Sequence, residues 1–289
     1  MNCLIELIAK TAKVKLNLGF LTTKKTLKKK VTLDVIIKTL LKMGIKNGDS
    51  ILIHSSMSHI NATAKELIIE LQKLVGPDGN ILMPTHPKLE ENENGELHYD
   101  PDINQSKVGY LTEYFRNLPD VKRSLHPLSS VAIWGKDQDW FLNNNDSDYA
   151  PLPHGINSPY YRLAEKGGKV VCIGVTAQSR ATISHVSEEV LDDIFPLNIL
   201  EEVEIFVHNE DTIKKRKFRR TILDFSMIYK CKSQLEKDWI QCGILQKEKI
   251  NSTPIEVLDA QECVNLMMRK LKTGVTVYPF APKSYYREH

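Results

Sequence analysis

Short apolar strands alternating with amphipathic helices predict a layered α/β/α single domain with a central mixed sheet. Three observations carry this expectation. Ser50-Ile-Leu-Ile-His54 and Lys169-Val-Val-Cys-Ile-Gly174 are apolar runs too short for helices and bounded by turn residues, as buried strands are. Between such runs lie segments with helical periodicity, the pattern of α/β folds. Near the carboxy end, two strand-like stretches parted by a polar turn predict an antiparallel hairpin.

Taken in order, Thr32 is placed to cap a helix carrying Leu33, Ile36, Ile37, Leu40 and Leu41, with Gly44 as its stop signal. Asn47-Gly-Asp49 is a turn into the strand at Ser50–His54. A second amphipathic helix follows over Ala64–Leu74, then the Gly76-Pro-Asp-Gly79 turn and the strand Asn80–Met83. Residues 86–107 are polar and mixed, and read as a long surface excursion of the kind that often serves function. Val131–Trp134 and Lys169–Gly174 are further buried strands. Glu202–His208 and Lys217–Phe225 form the hairpin, and a last helix spans Ala260–Leu271. No internal repeat or low-complexity linker demands a boundary, so the organisation expected is a basic extension over 1–30 and one domain over 31–289.

With 42% hydrophobic and 26% charged residues, the composition is that of an ordinary globular protein. Five scattered cysteines (Cys3, Cys172, Cys231, Cys242, Cys263) without a paired motif argue against a disulfide framework or zinc cluster and suit a reducing cytoplasm. Met1–Phe20 mixes apolar positions with Lys10, Lys13 and Lys15 and does not read as a signal peptide. No run approaches the ~18 apolar residues of a membrane span. The net charge of +3 is clumped, at Lys24–Lys30 and at Lys214–Arg220. These clumps lack interleaved aromatics, which disfavours nucleic acid and leaves two readings: solvated faces, or a surface attracting phosphorylated ligands.

The segment most suggestive of chemistry is Thr182-Ile-Ser-His-Val-Ser-Glu188. Residues three apart share a helical face, so Glu188 can reach back to His185. A histidine oriented by a carboxylate is suited to proton abstraction near neutral pH. With Thr182 as N-cap, the helix end favours neutral imidazole while Glu188 favours imidazolium. The bland alternative is a surface ion pair. In open α/β sheets ligands gather at the carboxyl ends of strands. His54-Ser-Ser56, Pro84-Thr-His86 and Gly174-Val-Thr176 all lie at such ends. His54 is open to either a structural or a site role, whereas His59, His86, His98 and His154 each read as structural.

Together these motifs resemble the aminoglycoside 3-N-acetyltransferase family. The resemblance is carried by Gly44-Ile-Lys-Asn-Gly-Asp49 with Leu52-Ile-His-Ser-Ser-Met57 and by Gly76-Pro-Asp-Gly-Asn-Ile-Leu-Met-Pro-Thr85. It continues in Tyr99-Asp100, Val108-Gly109, Phe115-Arg116 and Arg123-Ser-Leu-His-Pro127 with Ser129-Ser-Val-Ala132. Gly155, Ser158-Pro159, Gly167–Gly174 and Thr182–His185 with Glu188 close the series. The matches keep their order from about residue 31 to 190.

The resemblance implies an acetyl-CoA-dependent N-acetyltransferase acting on a small-molecule amine, without a metal or an integral membrane segment, with a homodimer left open. It implies His185 as base and Glu188 as its orienting acid. His54, Ser55, Ser56 and Met57 would place the thioester and pantetheine arm, with Thr85, Arg123 and His126 as further walls of that site. Tyr99, Asp100 and Ser158 would face the acceptor. Departures from the family's pattern are Asn61 for glycine, Asn80 for threonine, and a loop Ala177–Ala181 without the usual Asp and Asn. Because the chain is mildly basic, the acceptor expected is an amino sugar carried on a nucleotide, as used in surface polysaccharide. The alternatives are an aminoglycoside, giving antibiotic resistance, and a catalytically silent CoA-binding relative. A serine hydrolase using Ser56 with His185 lacks the Gly-x-Ser-x-Gly elbow.

Overall fold

A computed structural model describes residues 29–145, 150–222 and 230–287. The basic segment through residue 28 and the Phe225 end of the expected hairpin lie outside the described residues. The strands are β1 (Ser50–Ser55), β2 (Asn80–Pro84), β3 (Glu90–Glu91), β4 (Leu97–Tyr99), β5 (Lys122–Arg123), β6 (Val131–Gly135), β7 (Lys169–Ile173), β8 (Leu200–Asn209), β9 (Thr212–Thr221), β10 (Leu245–Ile250) and β11 (Thr253–Asp259). The helices are α1 (Leu33–Lys42), α2 (Ala64–Val75), α3 (Tyr110–Arg116), α4 (Gln138–Leu142), α5 (Pro159–Glu165), α6 (Ala177–Arg180), α7 (Val186–Val190), α8 (Ser233–Gln241) and α9 (Ala260–Leu271).

Seven strands form the main sheet in the order β10-β11-β7-β1-β2-β6-β5. β1 runs parallel to β2 and β7, while β11 and β6 run antiparallel on either side, so the sheet is mixed. Alternation along the central strands sorts side chains to two faces. Leu52, Leu82, Val170 and Cys172 join a core with Leu163 of α5, Trp239 of α8 and Cys263 of α9. Ile51, Ile53, Ile81, Met83, Val171 and Ile173 face the other way, against α1, α2 and α3. The result is the α/β/α layering expected of such buried strands.

Local signals behave unevenly. Thr32 occupies the N-cap position of α1 without a side-chain capping bond, whereas Thr63 and Glu66 close a capping box on α2. Asn61 is not in a left-handed conformation. Asn80 is a buried clamp: its Nδ2 donates to Ser50 Oγ (3.0 Å) and Asp137 Oδ2 (2.8 Å), and its Oδ1 accepts from the Asp137 amide (2.8 Å). It ties β1, β2 and the turn after β6 together.

Residues 86–107 are not a bare excursion. They contribute β3 and β4, and β4 pairs with β8 in a second sheet ordered β3-β4-β8-β9. The hairpin itself is longer than expected, because the strands pair from Leu200–Thr221 to Asn209–Thr212 around a two-residue turn. The basic run therefore lies within β9, and glutamates of β8 answer it: Lys215–Glu204 at 2.7 Å, Lys217–Glu202 at 2.9 Å and Arg220–Glu201 at 2.7 Å. Arg219 pairs with Asp192 at 2.7 Å. Glu201 and Arg220 are directly opposite in the ladder and the other two pairs are diagonal neighbours, and such cross-strand pairs stabilise it modestly. They also cancel much of the electropositive surface inferred from the basic run.

Candidate active site

β7 is followed by Gly174, whose φ of +75° suits glycine. A Cβ there would lie 2.9 Å from His59 Cβ and 3.1 Å from the Ser56 carbonyl oxygen, so the missing side chain lets this exit pass against the turn after β1. The chain then forms α6 and a 3-10 turn over Thr182–His185 leading into α7. Thr182 does not cap a helix; its hydroxyl donates to the Arg180 carbonyl at 3.3 Å, and His185 itself occupies the N-cap position of α7. The buried carboxylate of Glu256 on β11 accepts from the Ala177 amide at 2.7 Å and anchors the start of α6.

His185 Nδ1 lies 3.0 Å from Glu188 Oε2. That contact favours a proton on Nδ1 and a lone pair on Nε2, the arrangement of an oriented base. Tyr278 donates to the same carboxylate oxygen at 3.2 Å. Lys230, a residue outside any sequence expectation, places its Nζ 2.7 Å from His185 Nε2. Burial first and the Lys230 cation second lower the His185 pKa to about 3, against the pull of Glu188. The helix end weighed from sequence is not the controlling influence. For Glu188, burial acts upward, but Lys230 and His185 outweigh it and hold the carboxyl at about 2. At neutral pH the pair is neutral imidazole and carboxylate.

A second histidine–carboxylate pair stands beside the first. The His154 ring stacks on His185 at 5.1 Å between centroids, and His154 Nδ1 lies 2.7 Å from Glu189 Oε1. Glu189 Oε2 also accepts the His154 amide at 2.5 Å. Ser129 Oγ is 3.0 Å from both His154 Nε2 and His86 Nε2, and 3.2 Å from Tyr160 Oη. His86 and His154, expected as lone structural histidines, therefore share one buried hydrogen-bond network. The signal available in sequence was the Glu188-Glu189 doublet, since adjacent helical residues point in different directions and each can serve a different histidine.

His54, Ser55, Ser56 and Met57 line a pocket of about 330 Å³, closed from the other side by Val108–Thr112 and bordered by Val175 and Arg180. His54 Nε2 is buried without a partner in it. Burial, reinforced by Lys232 and Arg180, lowers the His54 pKa to about 3, so the ring is neutral at pH 7. An unpartnered buried nitrogen on a residue that lines a pocket fits a polar ligand group arriving there.

Other residues expected at the site have structural duties. Arg123 donates to the carbonyls of Pro101 (3.0 Å), Asn104 (2.5 Å) and Thr85 (2.5 Å), and its Nε to the hydroxyls of Thr85 and Ser130. Thr85 is fully buried in that cluster. His126 packs edge-on against Phe218 at 4.8 Å. Tyr99 is buried and donates to the Ser124 carbonyl at 2.7 Å. Ser158 caps α5 by accepting from the Tyr161 amide at 3.0 Å. None of these lines the His54 pocket. Asp100 accepts from the amides of Asp102 and Ile103, and borders a separate depression with Arg116 and Glu210. Ser56 bonds to Ser58 at 2.9 Å, while Glu188 and Lys230 meet the His185 nitrogens, so no Ser56–His185 dyad forms. Among the described residues no helix is long and apolar enough to cross a membrane.

The family model described as aminoglycoside 3-N-acetyltransferase matches residues 52–272. Aminoglycoside N(3)-acetyltransferase IV from Salmonella sp is 31% identical over 159 residues, covering 53% of this chain and 57% of that protein. The SPbeta prophage-derived aminoglycoside N(3')-acetyltransferase-like protein YokD of Bacillus subtilis (strain 168) is 30% identical over 54% of this chain and 64% of its own length. The alignments with these two thus span about three-fifths of each relative, whereas that with aminoglycoside N(3)-acetyltransferase IX of Micromonospora chalcea spans 91% of the relative and 81% of this chain at 25% identity. Among solved structures, "AAC-IIIb binary with CoASH" superposes with a TM-score of 0.71 at 20% identity, covering 87% of this chain and 99% of that one. At that identity the likeness concerns the fold.

Proposed function

Because this chain belongs to the aminoglycoside 3-N-acetyltransferase family, we propose that it transfers an acetyl group from acetyl-CoA to an amine of an aminoglycoside-type acceptor. The observation that carries the reading is the His185–Glu188 pair, 3.0 Å apart, on the segment that leaves β7 where Gly174 packs against the turn after β1. Acetyl-CoA, when bound, supplies an activated thioester carbonyl. His54 Nε2 offers a hydrogen-bonding nitrogen to the arriving donor, and the Ser55–Met57 turn gives the arm its wall. His185 Nε2 takes the amine's proton; Glu188 holds the ring by Nδ1 and stabilises the imidazolium. General base work of this kind is worth ~10²–10⁴-fold in rate.

The nucleotide-linked acceptor expected from net charge is withdrawn. Its premise was a mildly basic chain with a clumped run, and Lys215, Lys217 and Arg220 of that run are paired with β8 glutamates. The named relatives are aminoglycoside acetyltransferases, which favours a polycationic amine.

Thiol release from acetyl-CoA, measured with a panel of aminoglycosides and nucleotide-linked amino sugars, tests the reading. Release that requires an aminoglycoside and falls at least 100-fold in His185→Ala is the expected result, in line with the loss of a general base. CoA binding without turnover on any amine would sink the transferase reading.

A further inference from the structure

The contact at His185 Nε2 has chemical content of its own. Lys230 is a primary amine, 8% exposed, whose Nζ sits 2.7 Å from the nitrogen assigned to proton abstraction and 3.1 Å from the other ring nitrogen. A base must come within ≈ 2.6–3.2 Å of the group it deprotonates, and Lys230 meets that condition in the resting protein. The side chain is not a chance visitor. The Cys231 amide donates to the Val277 carbonyl at 2.7 Å, and Lys232 Nζ donates to the Ala181 carbonyl at 3.1 Å. The second bond ties the Lys230–Lys232 segment to the start of the turn carrying His185, and the first ties it to the stretch before Tyr278. The Tyr278 ring, 5.9 Å from Nζ, closes another side.

We propose that Lys230 occupies the seat of the acceptor amine and is itself an acetylation site of the enzyme. This rests on the transferase reading above, because it needs the acetyl thioester held within reach of His185. In the step, the Lys230 ammonium first gives up one proton to solvent; the neutral Nζ then attacks the thioester carbonyl, the new N–C bond forms and the C–S bond breaks. The Nζ proton passes to His185 Nε2 and then to the departing thiolate, leaving acetyl-Lys230 and free CoA. No oxidant or further reactant is required. Juxtaposition of amine and base replaces a bimolecular encounter, the circumstance in which effective molarities are high. An acceptor amine taking the same seat must displace Lys230, so acceptor and self-acetylation compete.

The test is peptide-mapped mass spectrometry of the full chain incubated with acetyl-CoA, with exposed Lys65 and Lys272 as internal references. Lys230 should be acetylated at least tenfold faster than either reference lysine, more slowly in His185→Ala, and protected when a turned-over acceptor is saturating. Lys230→Arg should remove that modification alone. Protection by acceptor keeps the test decisive should His185→Ala fold poorly. Lys230 unmodified, or modified no faster than Lys65 and Lys272, overturns the proposal. Acceptor-dependent thiol release in the same reactions shows whether the transferase reading survives that failure.

Discussion

Replacing Lys230 by Met removes one cation from the immediate surroundings of His185 while keeping an unbranched side chain of similar length. In the native protein burial and Lys230 together lower the His185 pKa to about 3, and Glu188 opposes them. Deleting Lys230 leaves burial and Glu188, so the pKa must rise. Two unit charges about 4 Å apart interact by about 4 kcal/mol at an effective dielectric of 20, equivalent to about three pK units. The His185 side chain is 21% exposed, so water weakens this repulsion. The expected change is therefore about one to two units, which places His185 near pH 4–5. Histidine NMR titration reads this directly, with His185→Ala assigning the resonance among nine histidines. The pH–rate profile should show the same sign: with neutral His185 as the proposed base, activity in Lys230→Met should begin to fall at a higher pH than in the native protein. A His185 resonance that titrates at the native pH or lower would refute the electrostatic account of the site.

Three further outcomes are expected. His54, His86 and His126 are buried with pKa values lowered to about 3, each by desolvation first, as is His185. The unfolded chain therefore binds more protons below about pH 6.5, and stability falls as pH drops from there towards 3, by at most about 1.4 kcal/mol per pH unit per histidine. Urea midpoints between pH 7 and 5 measure this, and a flat profile would contradict it. Arg123→Lys should destabilise by about 3 kcal/mol or more, since several buried acceptors lose their fork of donors at ~1–3 kcal/mol each. Thermal melts should show this loss, with CoA affinity of the folded fraction unchanged; weakened affinity at native stability would restore Arg123 to the donor site. Glu189→Gln should lower kcat about tenfold or more by loosening the His154 ring stacked on His185, with little change in KM for either substrate, given the usual weight of such positioning. A change confined to KM would place Glu189 in substrate binding instead.

Much of the architecture was legible because its code is local. The strands Ser50–Ser55, Asn80–Pro84, Val131–Gly135 and Lys169–Ile173 are continuous apolar runs, and α2 and α9 show plain helical periodicity. β10 and β11 were not read, since Leu245–Ile250 is an edge strand rich in lysine and glutamate, and charged edges hide strand character. The two short strands within 86–107 escaped notice for another reason: β4 is held by β8, more than 100 residues away, and β3 pairs only with β4, and nothing within two or three residues announces that.

The site divides along the same line. His185 and Glu188 lie within one helical turn, so three-residue spacing alone was enough to pair them, and sequence also determined the family and the His54–Met57 turn. Only the tertiary structure brought Lys230 to His185 from 45 positions away, set His154 against Glu189 across 35, and joined His86 to Ser129 across 43. It also reversed the meaning of the basic run, by laying glutamates opposite it. Contact across the chain, burial and the resulting pKa values are properties of the folded packing, in which a charge acts on whatever the sheet and turns bring near it; a one-dimensional spacing carries no record of that neighbour.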